Sequence, residues 1–344
     1  MSSLLTNASA MTALQTLSAT NKAMSTTQNR ISTGYAIATA SEGAAYWSIA
    51  TTMRADNKAL SAVQDALGLG AATVDVQYTA LDATVNELTE IGKLLVSAAT
   101  PGTPRWQIQE DIDARLTQIE SIASSAVFNS ENWLSVDSAD AGYTEEKNIV
   151  GSFKRIGDAV SIETIKVSVE DVKLFDANTG AANAGTAPAA DSAGVADGAV
   201  RVGGQGIFDA EWAVTVESGV DASGAATYAS VTLSIIDLDI SALTDSTADQ
   251  ATLKGYISIV NAALSDLTDA AAGLGATKNR VDTQKDFVQA LSDAVSRGIG
   301  QLVDADMNAE STRLQALQVQ QQLGIQALSI ANSNSQNILS LFRG

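Results

Sequence analysis

The chain has 344 residues and a formal net charge of −19, and 45% of its residues are hydrophobic although only 5% are aromatic. Such an acidic chain offers no basic stripe for polyphosphate, which excludes nucleic acid as a partner. It contains no histidine and no cysteine, so it lacks the commonest general base and the usual zinc and copper ligands, and we predict neither catalysis nor a cofactor.

The sequence shows neither a membrane-spanning segment nor a conventional secretory signal. No segment reaches 18 consecutive apolar residues, so we expect no membrane span. The first residues, MSSLLTNASAMTALQTL, contain neither a basic segment nor an uninterrupted apolar stretch, unlike a conventional secretory signal. Export would therefore need another route.

The first predicted element is a helix near the N-terminus. Apolar residues recur there with alternating spacings of four and three, although polar residues interrupt them, through Ala10, Leu14, Leu17, Asn21, Met24, Gln28 and Ile31. So weak a stripe does not hold a helix firmly by itself. We expect this end of the chain to be ordered only when other copies cover it.

Two longer helices follow. The first carries a repeat of about 3.5 residues through Leu60, Val63, Leu67, Gly70, Val74, Leu81, Val85, Leu88 and Leu95. The breaker cluster Thr100-Pro101-Gly102-Thr103-Pro104 ends it. The second runs through Ile108, Ile112, Leu116, Ile119, Ile122 and Ala126.

The middle of the chain has a different pattern. Between about residues 150 and 241, apolar and polar residues alternate with a period of two, as in 162–169 and 212–217, which predicts half-buried strands. Residues 177–204 are rich in Ala, Gly, Asn, Asp and Ser and are predicted to be loops. This region is therefore predicted to be a separate β-rich insertion.

Helical periodicity returns after the insertion. Twelve of fifteen heptad positions between Leu253 and Leu302 are apolar, which predicts a helix roughly 75 Å long. A last stripe, again with small or polar interruptions, passes through Leu314, Leu317, Gln321, Gly324, Leu328, Ala331, Ser335, Ile338 and Phe342.

No familiar catalytic pattern accompanies these elements. Nucleophile elbows, P-loops and dinucleotide fingerprints are absent from the sequence. Asp304 and Asp306 stand two residues apart and would diverge on a helix, so they do not indicate a catalytic pair. The aromatic pair Tyr46-Trp47 is interpreted as a packing anchor at a helix entrance.

Both ends of the chain carry recognisable motifs. Near the N-terminus these are Asn29-Arg30-Ile31-Ser32-Thr33-Gly34 and the stretches 40–45 and 46–54, and near the C-terminus they are 303–306, 320–324 and 336–343. In these motifs the chain resembles bacterial flagellins, most closely those of the rhizobial group of alphaproteobacteria. About 130 N-terminal and 100 C-terminal residues are covered, whereas the middle is unmatched.

The resemblance implies a mainly α fold, in which long antiparallel helices from both chain ends form a coiled-coil-like rod and a smaller β-rich domain is inserted in the middle. Residues 1–40 and 303–344 would be the terminal helices, disordered in the monomer and forming the inner tube of a filament. Residues 41–150 and 242–302 would form a long-helix bundle in the outer tube, and residues 151–241 would face outward.

The implied function is that of the structural subunit of the extracellular flagellar filament, which drives swimming. The implied partners are copies of the chain and other flagellins, an export chaperone, the filament cap and the hook-junction proteins, with export through the flagellar type III channel. The residues expected to carry assembly are Leu14, Leu17, Met24, Ile31, Leu314, Leu317, Leu328, Ile338, Leu341 and Phe342. The connection between the tubes is expected at Gly34, Ala36, Asp304 and Asp306.

The chain departs from the flagellin pattern in two places. The family commonly has an arginine where this chain has Ala36, so an ion pair in the connection is expected to be missing or replaced. The patch read by a vertebrate innate immune receptor corresponds to Glu87, Glu90 and Lys93 and lacks its arginine, so we expect weak or no recognition. Two alternative functions stay open, a hook-filament junction protein and a glycan-binding surface adhesin.

Overall fold

The computed structural model describes residues 7–157, 159–178, 199–202, 206–220 and 226–341. Long helices account for most of this part of the chain, which confirms the mainly α fold. The helices are α1 (Ala8–Thr33), α2 (Ala40–Ala98), α3 (Arg105–Ser125), α4 (Thr247–Val303) and α5 (Met307–Leu341). The chain divides into two compact units, one made of residues up to Ser61 with those from Ala290 onward, and the other of Ala62–Gln289.

The strands of the second unit form three small sheets. They are β1 (Ser135–Val136), β2 (Glu146–Ile156), β3 (Ala159–Ser168), β4 (Phe175–Asp176), β5 (Val200–Val202), β6 (Glu211–Val220) and β7 (Ala226–Ser234). β1 pairs in parallel with β4, β2 and β3 form an antiparallel hairpin, and β5-β6-β7 form an antiparallel sheet. The predicted strands are confirmed for β3 and β6, and β2 crosses residue 151, where the sequence predicts a domain boundary.

The turn between α2 and α3 is held by a buried arginine. α2 ends at Ala98 and α3 begins at Arg105, because the prolines between them cannot continue a helix. Arg105 donates from Nε to the Ala98 carbonyl at 3.0 Å and from its terminal nitrogens to the Leu243 carbonyl at 2.9 Å and to Asp245 at 2.7 Å. One side chain therefore satisfies the end of α2 and ties it to the segment that leads into α4.

The core of the second unit is a layer of aliphatic side chains from α2, α3 and α4. Its fully buried members include Leu67, Leu81, Leu88, Ile91, Leu95, Ile112, Ile119, Ile259, Leu267 and Val281. The predicted heptad positions of α2 and α4 are thus at least partly buried, with the exception of Lys285, which is exposed. At the edge, Lys278 of α4 forms an ion pair with Asp75 of α2 and its ammonium lies 5.9 Å from the ring of Tyr78.

A buried ion pair anchors the strand region. Lys173 contacts Asp176 at 3.0 Å, and both side chains are almost wholly buried. Burial opposes ionisation of Asp176, but hydrogen bonds from Ser138, from the Asn178 amide and from Lys173 hold the pKa of that carboxyl below its usual value. Removing one partner would leave the other charge buried and uncompensated.

The hairpin β2–β3 rests on α2 where a glycine leaves room. A Cβ built on Gly70 would lie 2.3 Å from Cγ2 of Ile149 in β2, whereas a Cβ on Gly68, two residues earlier in the same helix, would meet nothing within 4 Å. The helix therefore accepts the low propensity of glycine at position 70 so that the hairpin can approach.

This contact yields a matched pair of variants. We predict that Gly70→Ala lowers the free energy of unfolding by about 1–3 kcal/mol, because the new methyl group overpacks Ile149. Gly68→Ala should raise it by about 0.5–1 kcal/mol through helix propensity alone. Urea unfolding followed by circular dichroism measures both, and equal effects of the two substitutions would contradict the packing argument.

Candidate assembly interface

The two ends of the chain form a pair of antiparallel helices. The Asn7 side chain donates to the Ala331 carbonyl at 3.0 Å, Gln321 donates to Asn21 at 2.9 Å, and Arg30 contacts Glu310 at 3.1 Å. These contacts connect the start of α1 to the far part of α5 and the end of α1 to the start of α5. Residues about 300 positions apart in sequence thus lie side by side.

The seam between α1 and α5 differs in register from the predicted stripe. Leu17, Met24 and Ile31 are at least partly buried, but Leu14 is 58% exposed, and Thr20 and Thr27 are the buried residues of α1. Counting from Leu17, the buried stripe thus steps by three residues to Thr20 and by four to Met24, whereas the predicted stripe steps by four and then by three. A threonine fits this seam because its hydroxyl can bond back to its own helix, as Thr20 does to the Thr16 carbonyl at 2.9 Å.

On α5, the predicted apolar residues mostly face α1. Leu317 is buried, Leu314 and Leu328 are partly buried, and a Cβ on Gly324 would lie 3.2 Å from the Leu17 side chain. These predicted assembly residues hold the chain's own two ends together. Ile338 and Leu341 lie in the helix with side chains outside the described part, and Phe342 lies outside the described residues altogether.

A second apolar stripe on α5 faces away from α1. Val319, Leu323 and Ile330 are 55%, 57% and 64% exposed, and their spacing of four and seven places them on one face. On α1, Met11 lies opposite the seam and is also exposed. These residues lie outside the single stripe predicted for each helix, although the same spacing rule identifies them as a second stripe.

The connection at Gly34, Ala36 and Asp304 is made by the backbone. Gly34 has a φ of 76°, which ends α1, and Tyr35 forms an antiparallel bridge with Asp304. The Ala36 amide donates to the Val303 carbonyl at 2.7 Å, and the Ala305 amide donates to the Gly34 carbonyl at 2.9 Å. The structure therefore brings three of the four predicted connection residues together.

Asp306 has a different role in the same connection. Its carboxylate accepts hydrogen bonds from the amides of Asn308 at 2.9 Å and Ala309 at 3.2 Å, and so caps the start of α5.

Arg54 contacts the residue that precedes Ala36. Its guanidinium carbon lies 4.6 Å from the centre of the Tyr35 ring, a cation–π contact. Ala36 itself contributes an amide but no charge. Beneath the connection, Ala50, Ile299 and Val303 form a small buried core, which fixes its backbone hydrogen bonds.

Tyr46 and Trp47 follow this connection on α2. Tyr46 is 54% exposed and Trp47 is partly buried. Trp47 is therefore partly covered within one chain, whereas the packing role of Tyr46 at the helix entrance stays a prediction.

Basic partners within the chain contact both acidic residues of the predicted receptor patch. Glu87 contacts Arg115 of α3 at 2.6 Å, and Glu90 contacts Lys93 at 2.6 Å. The hydrogen bond from Lys93 lowers the pKa of Glu90. An arginine is therefore present beside the patch, but it comes from the neighbouring helix.

In the part of the chain that the structure describes, no group of three or more Asp, Glu, His or Cys residues could hold a metal ion. Among the described helices, none is long and apolar enough to cross a membrane.

Comparisons with known proteins agree with the position of these helices. The bacterial flagellin N-terminal helical region matches residues 4–139, and the bacterial flagellin C-terminal helical region matches residues 257–342. Flagellin C of Rhizobium meliloti is 44% identical over 346 residues, and a flagellin of Brucella melitensis is 42% identical over 345 residues. Flagellin A of Rhizobium meliloti is 43% identical over 402 residues, and in each case the whole of both chains is covered.

The backbone of the connection can be tested through Gly34. We predict that Gly34→Val speeds hydrogen exchange of the Ala36 and Ala305 amides about tenfold relative to Gly34→Asn, because a β-branched residue resists positive φ and asparagine tolerates it. Mass spectrometry of assembled filaments, in which the two end helices are expected to be ordered, measures the rates. Identical rates in both variants would show that the left-handed residue does not hold the connection.

Proposed function

The chain belongs to the bacterial flagellin family and is a structural subunit of the flagellar filament, and we propose that it polymerises through α1 and α5. The observation that carries this proposal is that α5 has two apolar faces. One packs on α1 of the same chain, and the other, Val319, Leu323 and Ile330, is exposed to water.

The outward stripe provides a driving force for assembly. Burying one aliphatic side chain completely stabilises a complex by about 1.5–3 kcal/mol. Three such side chains in every subunit, repeated along a polymer, supply a substantial gain at each contact. A soluble monomer has no reason to keep this row of apolar residues exposed.

The same contacts suggest why the ends would fold on assembly. α1 and α5 have few buried side chains between them, and those of α1 are the polar residues Thr20 and Thr27. Two helices joined by so thin a core are marginal in water. We propose that residues 1–40 and 303–344 form the inner tube, the bundle 41–150 and 242–302 the outer tube, and residues 151–241 the outward domain.

The finer partners rest on the family resemblance. Flagellins form the extracellular filament, and for this chain we propose export through the flagellar type III channel, with a chaperone on the C-terminal segment and contacts to the cap and the hook-junction proteins. We also propose weak or no binding by the innate immune receptor, because Glu87 and Glu90 already have basic partners. Nothing in the comparisons points to a junction protein or a glycan-binding adhesin.

The outward stripe generates a direct test. We predict that Leu323→Glu combined with Ile330→Glu abolishes polymerisation, since each filament contact would have to bury two carboxylates without partners. Thr268→Glu, at an exposed position on α4, should still give filaments. Electron microscopy and sedimentation of the purified proteins measure the difference, and filaments from the double variant would remove α5 from the subunit interface.

Coupled folding of the ends is tested separately. We predict that amides of residues 8–33 and 307–333 exchange rapidly in dilute monomer and become protected in filaments, whereas the cores of α2 and α4 are protected in both. Hydrogen exchange with mass spectrometry compares the two states. Strong protection of α1 and α5 in the monomer would contradict this order of events.

A further inference from the structure

The β2–β3 hairpin has a buried base and an exposed tip. At the base, Ile149, Ile165 and Val167 are buried. At the tip, Ile156 and Ile162 are 65% and 61% exposed. An isolated two-stranded ribbon is marginally stable in water, so a tip rich in apolar residues indicates a surface that another molecule covers.

One face of the tip combines apolar and basic groups. Phe153 lies directly opposite Ile162, and Arg155 lies opposite Val160, so these four residues share a face. Arg155 is exposed, whereas Lys154 lies on the other face of the ribbon because successive strand residues alternate. In a chain with 39 acidic and only 20 basic residues, an exposed arginine on an apolar face selects an acidic partner.

The second unit also carries a groove of the opposite charge. α3 presents Asp113, Leu116 and Glu120 along one face, three and four residues apart. Phe175 and Phe208, stacked with ring centroids 5.5 Å apart, and the exposed Ile236 complete a cavity of about 270 Å³. The groove is therefore apolar at its floor and acidic along its α3 rim.

We propose that the hairpin tip of one subunit docks in the α3 groove of a second copy of this chain. Phe153 and Ile162 would contact the apolar floor, while Arg155, on the same face, would lie next to Glu120. The inference rests on the proposed function, because it describes a contact within the filament. Complementary charge and the apolar character of both surfaces identify the occupant as another copy.

The two surfaces are different parts of the chain, so the contact is heterologous. Each copy carries one tip and one groove, and such contacts propagate from subunit to subunit without pairing off. This arrangement suits an open-ended polymer. It also provides a contact between subunits that does not involve α1 or α5.

The absence of cysteine allows a clean cross-linking experiment. Ile162→Cys and Thr117→Cys are placed in separate chains, which are mixed, polymerised and oxidised. We expect a mixed disulfide dimer in filaments, at least tenfold above that from Ile162→Cys mixed with Ser265→Cys, whose exposed position lies on α4. Filaments without this excess overturn the docking contact, whereas failure of the unaltered chain to form filaments counts against the proposed function.

A charge exchange tests the same contact in the polymer. Arg155→Glu and Glu120→Arg should each raise the protein concentration needed for polymerisation by roughly tenfold at low salt, and the double variant should return to within about twofold of the unaltered chain. Lys254→Glu, an exposed site on α4, makes the same charge change as a control. A double variant no better than the single ones, or a control as impaired as Arg155→Glu, overturns the proposal.

Discussion

The first compact unit depends on one contact, the antiparallel pairing of α1 with α5. α1 and α5 each carry a narrow apolar stripe, and neither stripe can be buried without a helix from the other end of the sequence. Arg30 with Glu310 at one end and Asn7 with the Ala331 carbonyl at the other set the register. The backbone hydrogen bonds between the segments at Gly34 and Val303 keep the two helices in place. Because the thin seam contains buried threonines, this pair is also where assembly can be coupled to folding.

The second apolar face of α5 explains how a chain that pairs its own ends can still polymerise. A helix with one apolar stripe would be satisfied by α1 and would leave a polar surface. Val319, Leu323 and Ile330 add a stripe on the opposite side, so α5 is incompletely buried in a single chain. The contact with α1 and the proposed contact with other subunits thus lie on opposite faces of the same helix.

The second unit is held by a different kind of contact. Its aliphatic core is extensive, and buried polar groups determine how its loops are attached. Arg105 satisfies the end of α2, and Lys173 pairs with Asp176 beneath the strands. Gly70 lets the base of the hairpin approach α2, which leaves the basic, apolar tip exposed. Only the base of the hairpin packs within its own subunit, so the tip is available for contact with another molecule.

Periodicity determined the elements of this protein. The heptads around Leu67 and Leu267, the prolines after Ala98 and the alternation at 162–169 suffice to predict α2, α4, the turn and β3, because helices and strands follow from spacing along the chain. Spacing alone does not tell which residues of α1 face α5. Positions 13, 20 and 27 fit the helical repeat as well as positions 14, 21 and 28 do. Only packing against α5 selects Thr20 and Thr27 as the buried residues. The same is true of Arg115 beside Glu87 and of Arg54 over Tyr35. Each depends on which side of a helix its partner covers, and that partner is distant in sequence.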